Sequence, residues 1–117
     1  MSQSHTDLCM IQLEDAVRTA AIPAEQQIAK LKHWVVADEI ADDFGNFCRW
    51  ALVGEDAPQL SDEQRSCLNE LDQWFDDMFS RHDGLGTEDA VRNRPEWGEV
   101  RRKARKILDL FGWSIDS

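Results

Sequence analysis

Between Ser61 and Phe79 the large apolar residues fall at Cys67, Leu68, Leu71, Trp74, Phe75, Met78 and Phe79. Steps of three and four residues keep them on one face of an α-helix. Ser61 followed by Gln64 has the form of a capping box, and Asp62 and Glu63 sit where the helix dipole favours negative charge. Glu70, Asp72, Asp76 and Asp77 occupy the other face. This central helix therefore needs a partner inside the protein on one side and shows carboxylates to the outside on the other.

The same spacing recurs along the chain. Cys9, Leu13, Ala16, Val17 and Ala20 predict a first helix from Thr6 or Asp7 to about Ala21, flanked by Leu8 and Ile11. Pro23 stops it, because the residue before a proline avoids helical geometry, and opens the next helix. Ile28, Leu31, Trp34 and Val35 form one stripe; Val36, Ile40, Phe44, Phe47, Cys48, Ala51 and Leu52 form a second, about one residue out of phase. Either one helix over 24–53 drifts around its neighbours, or two helices meet near residue 36. A straight helix of that length would be about 45 Å long, against a radius of gyration of only about 13 Å for a globule of this size. A bend or break is expected, with the second half ending at Gly54. Thr87 caps a short helix to about Asn93. Pro95 opens a last one in which Trp97, Val100, Ala104, Ile107, Leu108 and Phe111 keep helical spacing and Gly112 follows as a stop. Trp113 and Ile115 are placed to fold back onto the core.

No segment alternates with the period of a strand. The fold class is all-α, a compact bundle of four to five main helices with short loops, forming one domain over residues 1–117 with a polar tail at 1–5. Leu13, Val17, Leu31, Ile40, Phe44, Phe47, Leu68, Leu71, Phe75, Ile107, Leu108 and Phe111 are the expected core. Core is also the default for each of Trp34, Trp50, Trp74, Trp97 and Trp113.

Composition narrows the function. The chain has 117 residues, 42% hydrophobic, with a net charge of −10 from 13 basic and 23 acidic side chains. That is too rich in core formers for disorder, and too acidic to bind nucleic acid or an anionic membrane through most of its surface. Residues 1–91 hold 6 of the basic and 19 of the acidic groups; residues 92–117 hold 7 and 4. The basic run Arg101, Arg102, Lys103, Arg105 and Lys106 is therefore expected to pair with acidic residues of the second or central helix and not with a nucleic acid. Cys9, Cys48 and Cys67 are widely spaced among apolar neighbours and read as buried free thiols of a reducing, cytoplasmic compartment. No apolar run is long enough for a membrane span, and the polar start is not a signal peptide.

Candidate chemistry is sparse. His5, His33 and His82 are read without a partner at metal-ligand spacing, and no nucleophile elbow, phosphate loop or His-Glu-x-x-His is present. Asp83-Gly84-Leu85-Gly86-Thr87-Glu88 lacks the alternating ligands of a calcium loop and reads as a turn. No catalytic residue, metal ligand, cofactor or cofactor-binding residue is assigned, and the chain does not read as an enzyme. What stands out is acid at helical spacing. Asp38/Asp42 and Glu39/Asp43 are like-charged pairs at i,i+4, and Asp72, Asp76 and Asp77 repeat the arrangement. Such pairs oppose the helix by a few tenths of a kcal/mol each, and a cationic partner relieves them. These seven carboxylates are the expected partner-binding residues and are expected to be exposed.

LSDEQRSCLNELDQWFDDM at 60–78 and PEWGEVRRKARKILDLFGW at 95–113, about a third of the chain, resemble immunity proteins of contact-dependent growth inhibition systems. The resemblance transfers no individual functional residue. It implies a cytoplasmic inhibitor that binds a cognate protein toxin with a basic surface, often a nuclease whose substrate cleft an acidic protein can plug. A helical regulator or adaptor that binds a protein or peptide without inhibition is the other reading of the same acidic surface.

Overall fold

The computed structural model describes residues 4–116. They form six helices: α1 His5–Ala21, α2 Ala24–Lys30, α3 Val36–Val53, α4 Asp62–Arg81, α5 Glu88–Asn93 and α6 Pro95–Phe111. The fold is all-α, with four long helices and two short ones.

The local signals account for the boundaries. Ser61 caps α4 through a complete capping box: its hydroxyl accepts from the Gln64 N–H at 3.0 Å, and the Gln64 carbonyl oxygen accepts from the Ser61 N–H at 2.9 Å. Thr87 Oγ1 accepts from the Ala90 N–H to open α5. Pro95 opens α6, and Gly112 closes it with φ +71°, a conformation an L side chain rarely adopts. The out-of-phase stripes over 24–53 are resolved by a break. The helix stops at Lys30, residues 31–35 turn, and α3 restarts at Val36, so each stripe reaches the core separately. The break places Trp34 and Val35 in the connection at 65% and 60% exposed, which corrects the expectation that Trp34 is core.

α1, α3, α4 and α6 surround a single core. Leu13, Val17, Ile40, Phe44, Leu68, Leu71, Phe75, Ile107 and Leu108 are buried as expected, whereas Leu31, Phe47 and Phe111 pack against the core only partly covered. Trp97 is fully buried and its indole N–H donates to the Leu85 carbonyl at 2.8 Å. Trp113 stacks on Phe111 with ring centroids 4.4 Å apart, while Ile115 stays at the surface. Of the three thiols only Cys48 and Cys67 are buried. Cys9 is half-buried, because α1 begins at His5, before the expected start, and its first turns lie at the edge of the bundle.

The basic helix serves the fold differently from the expected pairing. Lys103 and Lys106 do pair with Glu70 of α4, at 2.7 and 3.6 Å, but Arg102 pairs with Glu99 of its own helix. Arg101 and Arg105 meet no carboxylate among the described residues. Arg101 donates to the Gln27 side-chain carbonyl and to Val91 O, both at 3.0 Å, and Arg105 donates to Ala21 O at 3.1 Å. Buried Gln27 in turn donates to Thr19 O and Ala20 O. The unpaired carbonyls at the C-terminus of α1 are satisfied by these side chains, where the dipole also favours cations.

Candidate functional site: an acidic groove between α3 and α4

Residues 41, 42, 45, 46 and 49 recur at steps of one, three and four, and so share one face of α3; residues 72, 75, 76, 79 and 80 do the same on α4. The two faces border a groove of about 500 Å³ lined by Ala41, Asp42, Gly45, Asn46, Arg49, Asp72, Phe75, Asp76, Phe79 and Ser80. Gly45 opens it by leaving α3 without a side chain at that level. A Cβ there would come no closer than 4.0 Å to the Asp72 Oδ1 that faces it.

The floor is aromatic and anchored. Phe75 and Phe79 stack 6.4 Å apart, and both meet the buried Trp97 edge-on at 6.0 and 6.1 Å. Phe75 is buried, but Phe79 keeps 38% of its surface exposed, so an apolar patch remains open between carboxylates. Asp42 stands on the α3 wall, Asp72 and Asp76 on the α4 wall, and Arg49 and Asn46 lie farther along α3.

Of the seven carboxylates expected to meet a partner, the groove collects Asp42, Asp72 and Asp76. Asp38 is exposed one turn before Asp42. Glu39 and Asp43 lie on the side of α3 toward α1, where burial and then Asp15 push the Asp43 carboxyl up. Asp77 lies across α4 from the groove, in a smaller hollow with Trp74, Arg81, His82 and Glu96. Asp38, Asp42, Asp76 and Asp77 are exposed as expected; Glu39, Asp43 and Asp72 are half-buried.

The electrostatics agree with the geometry. None of the seven takes part in an ion pair among the described residues, although Glu14, Asp15, Glu25, Asp56, Glu70, Glu96 and Glu99 all do. Burial raises the Asp72 carboxyl above its ordinary range, Asp76 raises it further, and Arg49 offsets part of the rise. Glu39 is raised by desolvation and by Asp43 and Asp42. By contrast Glu70 is lowered, chiefly by the hydrogen bond from Lys103. Acid next to α6 is neutralised within the protein, and acid on α3 and the groove side of α4 is left unsatisfied.

Arg49, Asn46, Gly45 and Phe79 were not foreseen as site residues. Gly45 inside a helix flanked by Asp42 and Asp43 was the available signal; Phe79 was hidden as the last member of an apolar stripe. Among the described residues no group of three or more His, Cys, Asp or Glu side chains is arranged to hold a metal ion, and no helix is long and apolar enough to cross a membrane. Comparison with family models, curated proteins and solved structures finds no match to this chain. The groove must be interpreted on its chemistry.

Proposed function

We propose that this protein is a cytoplasmic inhibitory binding protein of the immunity type. On this reading it neutralises a cognate toxin, a nuclease being the best fit, by covering the toxin's basic active-site region. The observation that carries the reading is the convergence of Asp42, Asp72 and Asp76 on one groove whose floor is the exposed part of Phe79. An arginine or lysine suits such a slot: its aliphatic stem lies on the aromatic face while its charged head meets the carboxylates. Paired cations on a nuclease, held there to grip phosphates, supply that chemistry.

Opposite charge also speeds encounter well beyond the rate of neutral partners, which matters for an inhibitor that must reach its toxin before damage accumulates. α6 fits the same reading. Arg101 and Arg105 donate to carbonyls inside the protein, and Lys103 and Lys106 are held by Glu70, so the basic helix is engaged in the fold and is not offered to a nucleic acid.

Co-expression with the product of each adjacent gene tests the proposal. A toxic product whose effect on growth is relieved, together with a complex that co-purifies, is the expected result. A complex without relief of toxicity moves the protein to the class of regulators and adaptors. Neither relief nor complex with any of them overturns the reading.

A further inference from the structure

His5 and Cys9 stand four residues apart at the start of α1, one above the other on the same face. The loop after α3 brings Asp56 to the same place. Gly54 lets the chain turn there: a Cβ would lie 2.6 Å from Trp50 O and 2.9 Å from the Trp50 ring, so no other residue fits without a shift. Asp56 is then held by several bonds. Its backbone carbonyl accepts from Thr6 Oγ1 at 2.9 Å, its Oδ1 accepts from the Trp50 indole N–H at 2.9 Å, and its Oδ2 meets His5 Nδ1. Those side-chain bonds, that of His5 first, hold the Asp56 carboxyl below its usual range.

An ionised carboxylate can only accept, so the proton of a neutral His5 ring resides on Nδ1. That leaves the Nε2 lone pair pointing outward, and it faces Cys9 Sγ at 3.5 Å. The other two thiols face nothing comparable. Cys48 donates to Leu68 O and Cys67 to Gln64 O, and burial pushes the Cys48 thiol up to about 12. Carboxylate, imidazole and thiol in this order form the arrangement that activates a nucleophile: a base beside it and a third group orienting the base.

We propose that Asp56 and His5 make Cys9 a nucleophilic thiol that exchanges with low-molecular-weight disulfides, so that the N-terminal turn of α1 is a site of reversible thiol modification. His5 Nε2 takes the proton from Cys9 Sγ. The thiolate attacks one sulfur of the disulfide, a new S–S bond forms on Cys9, and the old one breaks. The departing sulfur leaves as a thiolate and takes the proton from the imidazolium. Cys9 is oxidised and one half of the disulfide is reduced to a thiol, so no further reactant is needed. The site is independent of the acidic groove and does not depend on the proposed inhibition.

The test is the rate at which oxidised glutathione adds to the intact protein at pH 7, followed by mass spectrometry with the modified cysteine mapped. In the wild type a single adduct is expected, on Cys9. His5→Gln keeps a polar side chain but no base, and Asp56→Asn offers Nδ1 a donor and so turns an N–H toward Cys9; each is expected to slow the reaction by roughly tenfold or more. Thr6→Val loosens the same attachment of the loop without touching the relay and is expected to leave the rate within about twofold. Wild-type rates in His5→Gln or Asp56→Asn would overturn the proposal, as would first modification at Cys48 or Cys67. Equal slowing in Thr6→Val would overturn it too, by showing that anchoring and not proton transfer sets the rate.

Discussion

Replacing Asp72 with Asn removes one charge from the groove while keeping its shape, and the structure sets both the sign and the size of the effect. Asp72 is half-buried, faces Asp76 one turn away, and is not in an ion pair. A like-charged i,i+4 pair costs a few tenths of a kcal/mol, and Arg49 offsets part of the cost. At pH 7 Asp72→Asn should therefore stabilise the fold by about 0.2–0.5 kcal/mol, or roughly 1–3 °C in Tm for a chain of this size. The pH dependence has a definite sign. The folded-state pKa is raised above the ordinary aspartate value of 3.8. The folded state therefore holds the proton more tightly, and that contribution to stability is complete below the ordinary value and lost as pH rises through the folded value. The variant's advantage should thus be present at pH 7 and shrink toward zero on acidification below the ordinary aspartate range. Paired urea titrations of both proteins at several pH values, with circular dichroism as the probe, measure it. A loss of stability above 0.5 kcal/mol at pH 7 would refute the reasoning, because it would mean that the carboxylate already has a favourable partner within the protein.

The other predictions are simpler. Leu71→Ala removes a fully buried side chain from the middle of α4 and should cost about 2–5 kcal/mol in urea unfolding; a loss well under about 1 kcal/mol would mean that α4 presents a different face to the core. Gly45→Ala meets nothing closer than 4.0 Å and should stabilise α3 by roughly 0.5–1 kcal/mol; destabilisation would show that the groove is tighter than described. Short duplex DNA and RNA should not bind even at low salt, where non-specific affinity is greatest; micromolar binding abolished by Arg101→Glu and Arg105→Glu would make a nucleic acid the partner.

The sequence carried most of the fold because its signals are local. The capping box at Ser61 and the regular stripe after it define α4, and the phase slip at Val35–Val36 announces the break that the turn at 31–35 supplies. What was not legible depended on packing between helices. Two acidic clusters were visible, but which carboxylates share a groove follows from the face of α3 that turns toward α4, and periodicity alone leaves that rotation undetermined. The fate of Arg101 and Arg105 was hidden for a related reason: backbone carbonyls at the end of α1 attract cations without any acidic residue to mark the place. The His5–Cys9 pair escaped through a boundary. With the helix taken to start at Thr6 or Asp7, His5 belonged to a tail. The Ser4 side chain, which accepts from the Asp7 N–H, moves the start back and puts both side chains on one face.

The most direct measurement of the central claim is protection by a groove variant beside the wild type in the same cells. Asp42, Asp72 and Asp76 are changed together to Lys, and helical circular dichroism confirms that the variant still folds. If the groove receives cations of the toxin, the wild type protects growth and the variant does not, and association of the variant with the purified toxin is slow and only weakly dependent on salt. Equal protection by the folded variant would contradict the account.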